Sequence, residues 1–83
     1  MSRYAWDKKK ESLPRYCERI AEYWSTLVCF DECASGRAAS MKYKAVRAFK
    51  DGLRERGLPE KDIHQAYIHT LALARLKMVA RGH

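Results

Sequence analysis

Acidic residues are the scarce charge class in this chain: ten Asp and Glu stand against seventeen Lys and Arg, a net charge of +7 over 83 residues. Such an imbalance on a small domain favours anionic partners, whether nucleic acid, a membrane surface or an acidic protein face, and says nothing about fold. Cysteine is also sparse. Three thiols, Cys17, Cys29 and Cys33, are too few and odd in number for a disulfide framework. The four glycines stand isolated at positions 36, 52, 57 and 82, so there is no glycine-rich loop to cradle a phosphate. No apolar run approaches the roughly 18–20 residues of a membrane span. The opening MSRYAWDKKK has no apolar stretch of the secretory type, so no signal peptide is expected. A cytoplasmic, reduced location and no membrane partner are the expectations. Sustained alternation of apolar and polar residues bounded by turns is missing too, which excludes a sheet.

What remains is a globular balance, with 47% apolar and 33% charged residues. One domain fits this length, with a modest core that an oligomer or partner would help. Residues 1–11 form a charged N-terminal arm, and residues 12–83 a single helical domain. Within the arm, Trp6 is expected to pack on the domain.

Three helices are predicted. Ser12 can cap the first, and Pro14 is tolerated in its first turn. At 100° per residue, Leu13, Cys17, Ile20, Trp24, Leu27 and Val28 share one face, and the helix should run to about Cys33 or Ala34 before Ser35-Gly36. The second spans about Ala38 to Arg56, with Met41, Ala45, Ala48, Phe49 and Leu53 as its apolar stripe. Gly52 interrupts that stripe at a cost of about 1 kcal/mol against alanine, and close packing is the expected reason. Gly57-Leu58-Pro59 ends it with glycine at C′ and an apolar residue at C″. The third runs from about Pro59 to Ala80, with Ile63, Ala66, Tyr67, Leu71, Ala74 and Met78 along one face. Short connections imply antiparallel neighbours. The expected fold is therefore all-α, a three-helix bundle in which a helical hairpin carries a long third helix across it.

Two features suggest function. The third helix has a second apolar row, Ile68, Ala72, Leu76 and Val79, roughly opposite its first. A helix apolar on both sides is normally covered on both sides. Either it is a central helix sandwiched by its neighbours, or the second row meets another chain. The latter is preferred, as a self-complementary two-fold homodimer or a contact with a partner protein. Tyr23 and Phe30, in register with Tyr16 at seven-residue spacing, mark a weaker edge of the same kind on the first helix.

The second feature is charge. Residues 37–56 carry seven Lys and Arg against two acids, a net +5, whereas residues 12–35 net −2. Arg47, Lys50 and Arg54 fall together on the wheel, with Tyr43 among them and Lys44 at the edge. Such a ridge suits phosphate contact plus stacking. Arg37 lies near the helix start, where free N–H groups favour anions. A solvated basic face is the plain alternative. The apolar helix after Gly-Leu-Pro is unlike a polar recognition helix, which argues against a DNA-reading helix-turn-helix.

Chemistry has little to work with. Cys29 and Cys33, with His64 and His69, mimic zinc-finger arithmetic, but the pairs sit inside predicted helices, and the histidines are about 140° apart. Glu18 and Glu22 beside Arg15 and Arg19 read as surface ion pairs along one helix. No catalytic residue, cofactor or metal is expected. The predicted function is a non-enzymatic protein-interaction or regulatory factor, with a nucleic-acid-binding accessory protein as the alternative.

Overall fold

The computed structural model describes residues 4–27 and 36–82. Among them are three helices: α1 (Leu13–Trp24), α2 (Arg37–Glu55) and α3 (Glu60–Ala80). Both α1 and α2 lie along α3. The first turn of α1 faces the first turns of α3, where Leu13 and Cys17 border a notch shared with Ala66 and His69. At its other end Glu22 pairs with Lys77 and Arg81. Hence α1 and α3 run in the same sense, as an up-down-up arrangement requires. The segment between α1 and α2 lies largely outside the described residues.

Local chemistry sets the helix ends. Ser12 Oγ accepts the Arg15 N–H at 3.4 Å, with proline in the first turn. The far end of α1 comes at Trp24, well short of the expected Cys33. Ser25 and Thr26 turn their hydroxyls back onto the Glu22 and Tyr23 carbonyls at 2.7 and 2.6 Å. Such bonds offer the backbone an alternative to continuing the helix. Arg81 also donates to Ser25 Oγ, so the last turn of α1 is held from α3 as well.

Gly36, at φ 61°, precedes α2 without any side-chain cap. The end of α2 is a Schellman motif: Leu58 N–H reaches Leu53 O at 3.3 Å and Gly57 N–H reaches Arg54 O at 3.0 Å. Gly57 has φ 86°, which an L side chain rarely adopts. Pro59 is the N-cap of α3 rather than its first residue, and Glu60 and Asp62 face the positive end of the helix dipole.

The core is an aromatic chain running through all three helices. Trp6 stacks on Tyr16 at 5.3 Å, Tyr16 on Phe49 at 5.7 Å, and Trp24 meets Phe49 and Tyr67 edge-on at 5.3 and 6.3 Å. Each pair is worth about 0.5–1.5 kcal/mol beyond the area it buries. The polar tips are bonded as well. Tyr16 donates to the Tyr4 carbonyl at 2.6 Å, Trp24 to the Tyr4 hydroxyl at 3.1 Å and Trp6 to Glu11 O at 3.1 Å. Residues 4–11 thus form a strap over α1 and α2, with one turn at Asp7 and Trp6 buried as expected. Arg19 adds a bond to Ala5 O and a two-pronged pair with Glu11, and Lys8 reaches Arg56 O.

The predicted stripes fall on the buried faces, apart from Val28, which lies outside the described residues; Tyr16 and Ala21, not part of the predicted α1 stripe, are fully buried as well, and two more positions differ. Met41 is 50% exposed, since it lies two turns before Phe49, where α2 reaches the core. Thr70, polar and therefore left out of the stripe, is fully buried because its hydroxyl donates to Ala66 O at 2.7 Å. Gly52 answers a close approach, though to the strap rather than to a helix. A Cβ there would sit 3.1 Å from Tyr4 O and 3.5 Å from the Tyr16 hydroxyl.

Two expectations follow. Gly52→Ala should yield none of the roughly 1 kcal/mol that helix propensity promises, because the strap must shift; urea midpoints compare the two. Burial holds the Tyr16 phenol well above its ordinary range, against the opposing pull of Arg19. Its neutral form is the one that folds, so its contribution is complete below about pH 10 and is lost as the pH rises further. Burial pushes the Cys17 thiol in the same direction. Urea midpoints should fall steeply above about pH 10, and less steeply in Tyr16→Phe, which starts about 1–2 kcal/mol less stable.

Candidate interaction surfaces

Helix α3 is packed on one side only. Ile63, Ala66, Thr70, Ala74 and Met78 are buried against α1 and α2. Roughly opposite, Ile68 is 52%, Leu76 66% and Val79 73% exposed, with Ala72 exposed between them. Among the described residues the predicted second row is therefore an open strip, not covered by α1 or α2. Arg75 and Lys61 flank the strip, both exposed and, among the described residues, without an ion-pair partner.

Tyr23 is set apart from that strip. It is half-buried and meets Tyr4 edge-on at 5.9 Å, so the strap uses part of its surface. Phe30 lies outside the described residues, as do Cys29 and Cys33.

The basic ridge of α2 is less continuous than its sequence implies. Arg54 makes a two-pronged pair with Glu60 at 2.5 and 3.2 Å and bonds Asp51 at 2.7 Å. Arg47 reaches the same Asp51 at 3.7 Å. The Arg54 hydrogen bond holds the Glu60 carboxyl below its usual range, and Glu60 in turn raises Arg54. Both groups are fully exposed, so the pair adds little to stability, but it occupies a cation that phosphate contact would need. Lys50 is turned inward, 4.6 Å from the Tyr67 ring centre. Arg37 and Lys44 remain exposed with no ion pair among the described residues, beside Tyr43, which is 64% exposed.

The acids of α1 do not pair along their own helix. Arg19 goes to Glu11 on the strap, and Glu22 goes to Lys77 and Arg81 on α3. These bridges join elements, which spacing along one helix cannot reveal.

A feature absent from the sequence reading is a mostly apolar notch of about 370 Å³ between α1, the α2–α3 turn and α3, lined by Leu13, Pro14, Cys17, Leu58, Ala66 and His69 among others. It brings a thiol and an imidazole to one cavity. The thiol is buried, however, and burial favours its neutral form, opposed only in part by the Thr70 hydroxyl. His64 and His69 are both exposed at their separate angles. Among the described residues no group of three or more metal-ligating side chains converges, and no helix is long and apolar enough to cross a membrane.

No family model matches the chain, and no curated protein or solved structure shows significant similarity to it.

If α2 contacts phosphate, Arg37 and Lys44 should carry it. In gel shifts on random duplex DNA and RNA at low salt, Arg37→Glu/Lys44→Glu should weaken binding more than Arg47→Glu/Lys50→Glu. The residual affinity should fall steeply with added salt. An equal loss in both pairs would mean that Asp51 and the Tyr67 ring do not withdraw Arg47 and Lys50 from the ridge.

Proposed function

We propose that this chain is a non-enzymatic protein-interaction factor, regulatory in character, that acts by occupying a partner protein's surface through the open strip of α3. The observation that carries this reading is the exposure of Ile68, Leu76 and Val79 on a fully formed helix whose opposite face is already packed. Covering what remains exposed of these three side chains would contribute roughly 1–2 kcal/mol apiece. Association costs at least about 4 kcal/mol in lost freedom. The strip alone therefore supports a weak contact, and further contacts at its margin decide the affinity and the occupant.

Two kinds of occupant meet this reading. A second copy, paired two-fold through α3, would give a homodimer in which α1 and α2 of each chain, both packed on α3, back the shared seam. A different protein would use the same strip as a docking face. A second reading, a nucleic-acid-binding accessory protein, is favoured by the exposed Arg37 and Lys44, seven residues apart on one side of α2, and by the exposed Tyr43. It is weakened by the acids that take up Arg47 and Arg54. The two readings use different helices and are compatible.

A photoreactive benzoyl-phenylalanine in place of Ala72 should cross-link to protein in the native host, and the same probe in place of Lys9 should not. Leu76→Asp should leave the thermal midpoint nearly unchanged, as exposed substitutions do. It should also remove the association read by sedimentation or by the cross-link. No protein adduct at position 72 overturns the reading.

A further inference from the structure

The margin of the strip has one sign. From Ile63 to Gly82 the chain contains no Asp or Glu. The acids of α3 are Glu60 and Asp62, both in the first turn; Glu60 is held by Arg54, and Asp62 borders the notch. Of the cations, Lys77 and Arg81 are committed to Glu22. Arg75 and Lys61 are exposed beside the apolar row, and His64 and His69 flank it. Apart from Asp62, exposed in the first turn of α3, the free charges beside this apolar strip are positive.

That pattern separates the possible occupants. In an antiparallel pairing of two α3 helices centred on Ala72, Ile68 of one copy falls opposite Leu76 of the other, which is good apolar complementarity. The same register sets Arg75 of one copy opposite His69 of the other, and Asp62 opposite Gly82 at the helix end. A parallel pairing sets Arg75 against Arg75. Neither brings a carboxylate to Arg75, and the like charges of the parallel register oppose association. A helix with its own apolar stripe and carboxylates on the flanks matches both the row and its margin, in the helix-in-groove mode.

Building on the interaction reading above, we propose that the α3 strip docks an acidic amphipathic helix of another protein rather than a second copy of this chain. Ile68, Ala72, Leu76 and Val79 receive the apolar stripe, and Arg75 and Lys61 pair with the flanking carboxylates. The small Ala72 at the centre lets the incoming helix approach closely. Gln65 and His69 follow the strip's edge towards the notch, which offers depth for one apolar side chain.

Two labelled synthetic helices of about 18 residues, with identical leucine stripes but Glu or Lys flanks, test this by fluorescence anisotropy on the full chain. At low salt the Glu-flanked helix should bind roughly tenfold more tightly, the product of two or three rim charge pairs. The gap should close at about 0.5 M salt. Arg75→Glu should invert the preference, and Leu76→Asp should abolish binding of both, with the helical circular dichroism of each variant unchanged. Equal binding of the two peptides, or preference for the Lys-flanked one, overturns the proposal and leaves the strip as an interaction surface. A wild-type dimer that is lost in Leu76→Asp and displaced by neither peptide overturns it in favour of a second copy. A monomeric wild type that binds neither peptide overturns it as well, and cross-linking from position 72 then decides the underlying reading independently.

Discussion

Tyr16 is the residue through which the parts of this fold are connected. Its ring lies between Trp6 and Phe49, and its hydroxyl donates to the Tyr4 carbonyl. One side chain on α1 thereby joins the N-terminal strap to α2. Phe49 passes the contact on to Trp24, and Trp24 passes it to Tyr67 on α3. A chain of this length buries little aliphatic surface, and flat rings with bonded polar tips allow much of its core to be made from few residues. Removing water from Tyr16 would be costly if its hydroxyl were left unpaired. The Tyr4 carbonyl meets that need, and Gly52 leaves the room for it.

Much of this architecture is legible in the sequence because it rests on local rules. The 3.6-residue period identifies Ile20, Trp24, Phe49, Leu53, Ile63 and Met78 as inward-facing, and all are buried. Gly57-Leu58-Pro59 predicts its own Schellman ending. What escapes is non-local or polar. Thr70 looks like a surface residue until its hydroxyl bonds the preceding turn. The early end of α1 depends on Ser25 and Thr26 folding back onto carbonyls, and on Arg81, which is distant in sequence.

The candidate surfaces divide along the same line. The row Ile68, Ala72, Leu76 and Val79 can be read from spacing, and its exposure follows from the packing of α1 and α2 on the other side. A count of cations treats every member of the basic ridge as free, whereas Asp51 and Glu60 lie close enough to pair with Arg47 and Arg54. The notch beside α3 could not be read at all, since it is assembled from α1, a turn and α3. Helix α3 therefore has two distinct faces. Its inner face organises the domain, and its outer face is open, with Arg75 and Lys61 exposed beside it.

The strap and the last turn of α3 also constrain the order in which the fold can be completed. Tyr4 and Trp6 leave the ribosome well before Gly52, against which the strap settles, and before Phe49, on which Tyr16 stacks. Glu22 and Ser25 wait longer still for Arg81. The strap and the last turn of α3 thus close onto α1 from opposite sides, so the aromatic face of α1 stays partly uncovered until the final turn of α3 has been made, open to chaperones in the interval.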